Sequence, residues 1–257
     1  MLTDDCPTPD QIAKDIERDG IANYPNALDP AACQSVREYW LDFFRAPESE
    51  CEFVRGSLVL GEPNFLSYTE TETGKLYRYF DFLWNEPVHA PTRELAIAIH
   101  RHRNLAQGFP PEKGLEFDPS CYGIYISVSY YVPNGGWFHT HSDGHQDTAI
   151  LHHMVPLTFA GEDYDAGGLF AMDKAGNRID LERGTRSGTL QFFDGRQEHG
   201  VAPIESSAAH PLGRLALFAI PTFFEKDATR AVQKRNRKNQ SRARSSRIKN
   251  LFRAPQP

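Results

Sequence analysis

The stretch Cys121–Gly144, CYGIYISVSYYVPNGGWFHTHSDG, decides the fold. Its first twelve residues are dense in Tyr, Ile and Val, which suit a pleated, half-buried surface. Pro133, Asn134 and two glycines break the run, and a second short segment ends at Asp143-Gly144. The same texture continues downstream. Eight strand-like segments follow one another, each closed by Gly, Pro, Asn or Asp: Cys121–Val132, Trp137–Ser142, Thr148–Phe159, Gly168–Met172, Arg178–Leu181, Thr189–Phe193, His199–Ile204 and Arg214–Ile220. Eight antiparallel strands in about a hundred residues fit a jelly roll, two sheets folded over a shared cavity. The predicted class is mainly β with flanking helices (α+β), a double-stranded β-helix of cupin type.

Upstream the pattern is mixed. PDQIAKDIERD (Pro9–Asp19) reads as a helix, GIANYPNAL (Gly20–Leu28) as a short strand and turn. Asp29–Ala46 carries an Asp N-cap, Pro at the first helical position and apolar residues at helical spacing (Val36, Trp40, Phe43, Phe44), and Pro47 stops it. Strands are expected near Phe53–Leu60 and Lys75–Trp84, and a helix over Ala90–Leu105. The expected organisation is a helical and mixed support region over 1–119, a double-stranded β-helix core over 120–225 and a basic tail over 226–257.

Composition narrows the class. The chain has 257 residues, 40% hydrophobic and 24% charged, ordinary for a globular protein. No apolar run approaches the ~18–20 residues of a membrane span, and MLTDDCPTPDQ is too acidic for a signal peptide. Four scattered cysteines form no C-x-x-C pair, so a reducing, cytoplasmic setting is the expectation. The net charge of −6 conceals an asymmetry: from Lys226 onward there are eleven Lys/Arg and one acid, so the tail is near +10 and the rest near −16. An acidic body argues against nucleic acid as the main partner.

Gly135–Asp147 holds H-x-D twice, His141-Ser142-Asp143 and His145-Gln146-Asp147. Alternate residues of a strand share a face, so Trp137, His139, His141 and Asp143 are expected to point one way. Choosing His145 and Asp147 would leave no loop before the strand at Thr148, so the first pair is favoured. His199 opens a later strand and supplies a third ligand. Two His and one carboxylate form the facial triad typical of non-haem Fe(II), with positions left open; a closed zinc site usually has four ligands.

In combination these residues resemble the Fe(II)/2-oxoglutarate-dependent oxygenases. The family pattern is H-x-D, a distal His some fifty or more residues on, then an Arg on the last core strand: here His141, Asp143, His199 and Arg214. Tyr131, ten residues before the first His, resembles a Tyr of the prolyl-hydroxylase-like branch, as do DAGGLF (Asp165–Phe170) and FFDGRQEHGVAPI (Phe192–Ile204). DGIANYPNALDPAACQSVREYW (Asp19–Trp40) is similar to the segment before the core of phytanoyl-type members. The resemblance covers roughly Asp19 to Phe224. It implies that the second and seventh core strands, and the first and eighth, are neighbours. It also implies Fe(II) on the triad, 2-oxoglutarate with its distal carboxylate on Arg214 and Tyr131, O2 as oxidant, and hydroxylation with release of succinate and CO2. Ala216 stands where many relatives have Ser, and the gap from His199 to Arg214 is longer than usual. Related halogenases lack the Asp, so Asp143 favours hydroxylation.

Simpler readings stand beside these. The triad residues are alternatively turn residues of a β-rich binding protein, Arg214 a strand-end ion pair, and Tyr131 a core aromatic. His139 either touches substrate or is an interior His. Trp137 is core or cavity wall. His145 and Asp147 fall where a substrate-facing loop should lie. His152 and His153 sit on the third core strand, one facing the cavity and one not. The expected substrate is a small polar molecule or biosynthetic intermediate, such as an amino acid derivative. A protein or peptide side chain is the alternative, and a jelly-roll binder with a polyanion-binding tail is the non-catalytic one. The tail reads first as a solvated end, then as a helix folding back, then as a polyanion-binding segment. Neither the substrate nor the oligomeric state is written in the sequence.

Overall fold

The computed structural model describes residues 1–45, 58–70, 74–143 and 151–226. Its helices form where local chemistry dictates. In α1 (Pro9–Asp19), Thr8 caps the N-terminus, its Oγ1 accepting from Gln11 N, and Gly20 ends the helix at φ 78°. That left-handed conformation suits glycine. Helix α2 (Pro30–Arg45) buries Cys33, Val36, Trp40 and Phe44, a three- and four-residue spacing. Helix α3 is Ala90–Ala106.

Two antiparallel sheets follow. The large one has the order β1 (Ile21–Tyr24), β9 (Leu190–Asp194), β6 (Leu151–Pro156), β11 (Arg214–Phe223), β4 (Tyr122–Gly136), β3 (Gly74–Phe82) and β2 (Phe65–Thr69). The small one runs β5 (Phe138–His141), β10 (His199–Glu205), β7 (Ala166–Met172) and β8 (Arg178–Asp180). All eight expected core strands are present, β4 to β11, and the jelly roll is the fold. The implied neighbours also hold: β10 pairs with β5, and β11 with β4 in continuous register from Arg214↔Tyr131 to Phe223↔Tyr122.

The helices pack on the outer face of the large sheet, around Trp40, Leu95, Ile99, Ile126 and Leu217. A second core lies between the sheets and includes Tyr131, Met154, Leu169, Phe193, Val201 and Phe218. The region before residue 120 contributes three strands to the large sheet, so it is built into the core rather than set beside it. The expected Phe53–Leu60 strand lies mostly outside the described residues; its end makes one bridge, Val59↔Glu225. In its place β2, which the sequence reading did not include, pairs with β3. No helix among the described residues is long and apolar enough to cross a membrane.

Candidate metal centre

His141 closes β5, His199 opens β10, and the register sets them directly opposite. Their rings lie 4.3 Å apart. Asp143, two residues on, is tied to the same end by its N–H donating to Gly195 O at 2.8 Å. Its Oδ2 stands 3.5 Å from His199 Nε2 and its Oδ1 3.9 Å from His141 Nε2. One ligand atom from each of the three lies within 4.8 Å of the others.

The proton positions follow from the second contacts. His141 Nδ1 meets the His139 carbonyl at 3.0 Å, and His199 Nδ1 the Gln197 carbonyl at 2.9 Å. A carbonyl only accepts, so each Nδ1 carries hydrogen and Nε2 is the nitrogen left to face inward, where a metal would take its lone pair. Burial, and then the neighbouring His199 ring, hold His141 below its ordinary pKa, which keeps it neutral. Burial alone would raise the Asp143 carboxyl, but His152 and His199 beside it hold it well below the usual range. Two imidazole Nε2 atoms and a carboxylate thus converge. That is a cation site by chemistry, and His141, Asp143 and His199 can hold the metal.

The site opens into a cavity of about 430 Å³ between the sheets, lined among others by Tyr131, Phe138, His139, His152, Met154 and Arg78. Trp137 does not join that wall. Its indole occupies the space over Gly74, where a Cβ would come within 2.3 Å of the ring. The reason is a bulge. Between His199↔His141 and Val201↔Phe138, β5 advances three residues while β10 advances two. The extra residue breaks the alternation expected across Trp137–Asp143 and brings Phe138 to the cavity. His139 does line it, its ring stacked on Phe138 at 4.8 Å. His145 and Asp147, and with them the second H-x-D, lie outside the described residues, as does the tail from residue 227.

Tyr131 lines the cavity directly opposite Arg214. Arg214 departs from the simple expectation. It is fully buried, and its Nε donates to Glu182 Oε1 at 2.5 Å. Its Nη2 contacts the sulfur of cavity-lining Met154 at 2.9 Å, while Nη1 is buried without a hydrogen-bond partner. Glu182 also accepts from Tyr164 Oη at 2.9 Å and Leu169 N at 2.7 Å. Gly168, in the DAGGLF segment, explains how the carboxylate enters: a Cβ there would fall 2.3 Å from Glu182 Cγ, and φ is +106°. The strand-end ion pair weighed from sequence is therefore real, and its partner is Glu182.

Three residues were not assigned from sequence. His152 faces inward from β6 with Nε2 3.0 Å from Asp143 Oδ2, while His153 turns outward toward His100 on α3. The alternation of the strand foretold one inward His but not which. Glu182 and Arg78 gave no local signal at all.

No protein-family model and no curated protein sequence matches the chain. Solved structures do. A prolyl-4-hydroxylase from Pseudomonas putida superposes with a TM-score of 0.59 at 15% identity, over 85% of this chain and 100% of its own. EctD from S. alaskensis, solved with 2-oxoglutarate and 5-hydroxyectoine, gives 0.54 at 15% identity, over 85% of this chain and 78% of its own. The chain shares the fold of Fe(II)/2-oxoglutarate-dependent oxygenases. The non-haem α-ketoglutarate-dependent epimerase SnoN of nogalamycin biosynthesis is also similar, at 0.53 and 14% identity over 86% of this chain and 87% of its own. The fold is thus shared by proteins whose reactions differ.

Proposed function

We propose that the protein is an Fe(II)- and 2-oxoglutarate-dependent oxygenase that hydroxylates a small polar molecule or biosynthetic intermediate. The observation that carries this is the convergence of His141, Asp143 and His199 on the wall of a cavity in this fold. With Fe(II), 2-oxoglutarate and O2 bound, such a centre supplies oxidation of a C–H bond coupled to release of succinate and CO2.

The chain's own residues do the rest. His141 and His199 offer Nε2, fixed by carbonyls at Nδ1, and Asp143 offers its carboxylate. Arg214 and Tyr131 are the proposed holders of the cosubstrate's distal carboxylate. Support comes from the orphaned Arg214 Nη1 beside Met154, because a buried donor without an acceptor fits a carboxylate. Glu182 would then orient the guanidinium through Nε and leave the Nη edge for the ligand. Leu169, Phe193 and Val201 provide apolar wall that limits water. A volume of about 430 Å³ is in the lower range of ligand pockets, which favours a small molecule over a peptide.

The test is anaerobic addition of Fe(II) and 2-oxoglutarate, read by the visible charge-transfer band of the chelate, with Asp143→Ala as control. The expected result is a band in the wild type that shifts or vanishes in the variant. Absence of a band in folded protein with excess iron overturns the reading.

A further inference from the structure

Alternate residues of β4 face the interior, and the metal cavity receives two of its tyrosines, Tyr125 and Tyr131. Six residues along a strand span about 20 Å. Tyr131 stands opposite Arg214, at the end proposed for the cosubstrate. Tyr125 stands opposite Ile220 on β11 and Phe82 on β3, toward the other end of the same strands. Ile220 and Thr222, which share a face of β11, line the cavity beside it. A molecule held at Tyr125 therefore leaves the Arg214 end free.

The Tyr125 ring packs 5.3 Å from Phe80 and 6.3 Å from Phe82, and the residue is only 9% exposed. Yet among the described residues no group hydrogen-bonds its hydroxyl. Other phenols of this fold are engaged: Tyr164 donates to Glu182 at 2.9 Å, Tyr24 donates to Asp15 at 2.8 Å, and Tyr130 accepts from Gly213 N at 3.1 Å. A buried hydroxyl with no protein partner, on the wall of a cavity, is matched by something that enters the cavity. Burial pushes the phenol up to about 12, and the charges that act on it are Arg78 and Asp143. It is thus a protonated donor at neutral pH, in the field of the triad carboxylate. Thr222 adds a second, half-buried hydroxyl that no described residue hydrogen-bonds.

The chemistry of this end is neutral. Two hydroxyls match an oxygen but supply no counter-charge for an ion. Arg78, on the same wall, is already engaged: its Nε donates to Ser129 Oγ at 3.1 Å, and its guanidinium carbon lies 5.7 Å from the ring centres of Phe138 and Phe218. Phe138, Phe218 and Ile220 offer apolar surface around the hydroxyls. We propose that Tyr125 donates a hydrogen bond to an uncharged oxygen of the primary substrate, so that the substrate class is a small, largely apolar molecule carrying a carbonyl or hydroxyl group. This deepens the oxygenase reading and rests on it only in calling that molecule a substrate.

The experiment uses the full chain with saturating 2-oxoglutarate and Zn(II), a diamagnetic stand-in for iron that prevents turnover. Para-fluoroacetophenone and the hydrocarbon of the same shape, para-fluoroethylbenzene, are titrated and followed by fluorine NMR. Tyr125→Phe removes one oxygen and keeps the ring. It should weaken the ketone about three- to tenfold, the scale of one neutral hydrogen bond, and leave the hydrocarbon and 2-oxoglutarate unchanged. No binding of the ketone by wild type, an unchanged ketone affinity in the variant, or an equal loss for both probes overturns the proposal. Loss of 2-oxoglutarate affinity would make Tyr125 a cosubstrate holder and equally overturn it. Tighter binding of para-fluorobenzoate than of the ketone by wild type overturns the uncharged class. If wild type forms no iron chelate, the oxygenase reading falls on its own. The ketone and hydrocarbon are then compared on metal-free protein, where the same difference between wild type and variant decides the role of Tyr125.

Discussion

Replacing Glu182 by Gln isolates the most deeply buried ion pair among the described residues. Both partners are 1% exposed, and the carboxylate takes hydrogen bonds from Arg214 Nε, Leu169 N and Tyr164 Oη. Gln keeps the shape and one carbonyl acceptor but removes the charge. The Arg214 guanidinium cannot lose its proton, and its Nη1 already lacks an acceptor, so it is left buried and uncompensated. Breaking one partner of such a pair costs about 3–5 kcal/mol. For a chain of this size that corresponds to a fall in Tm of roughly 6–20 °C. Urea unfolding followed by circular dichroism measures it. Adding Arg214→Met to Glu182→Gln removes the stranded charge, so the double variant should recover to within about 2 kcal/mol of wild type.

The same variants separate structure from ligand binding. Glu182→Gln should leave 2-oxoglutarate affinity intact or improve it, because Arg214 then meets the ligand without a competing anion. Arg214→Met should weaken the cosubstrate in either background. A Glu182→Gln protein within about 0.5 kcal/mol of wild type would refute the argument, since the position would then behave like an ordinary surface site.

Other outcomes follow from named contacts. His152→Phe should retain the fold and lower metal affinity by about 10–100-fold, since His152 Nε2 stands 3.0 Å from the Asp143 carboxylate; equal affinity by competitive metal titration removes it from that role. Burial pushes His100 down to about 3 and His153 well below its ordinary value, so the unfolded chain binds more protons than the folded one between about 3 and 6.5. Stability should therefore rise with pH across that window and be fully present above it. His100→Phe should flatten the slope measured by unfolding at pH 5 and pH 7, and an unchanged slope would refute the assignment. Arg103 is 1% exposed, and burial lowers its pKa to about 10, with Tyr122 beside it opposing the shift. Arg103→Met should be as stable as wild type or more so; a loss above about 2 kcal/mol in thermal or urea unfolding would show that its contacts outweigh the cost of burial.

What could be read in the sequence was whatever is local or periodic. Strand composition and turn residues located β4 to β11, the segment PDQIAKDIERD read as a helix is α1, and H-x-D with a spaced His named three side chains that do converge. The cross-strand pair Tyr131 and Arg214 was also legible, because strand order follows from the fold once it is recognised. Trp137 was misread because a one-residue bulge in β5 leaves no mark on local composition, yet reverses which side chains face inward. β2 was missed for a related reason: FLSYT is short and gains its stability from β3, not from its own pattern.

Charge compensation is harder still. Arg214 was correctly set on the last core strand, but its behaviour depends on a carboxylate 32 residues earlier in the chain, admitted only because Gly168 has no side chain. The reverse holds for Arg78, which lies in an upstream strand with nothing in KLYRYFDF to separate it from an ordinary exposed Arg. Only the pairing of β3 with β4, and the closure of Phe138 over it, turns that side chain into part of the cavity. Around one cavity, then, the three converging side chains come from a local motif and its register, whereas the placement of the arginines near them comes from long-range packing. Proteins that share this fold differ in reaction, as a prolyl-4-hydroxylase and an epimerase do, so the fold alone does not fix what is oxidised.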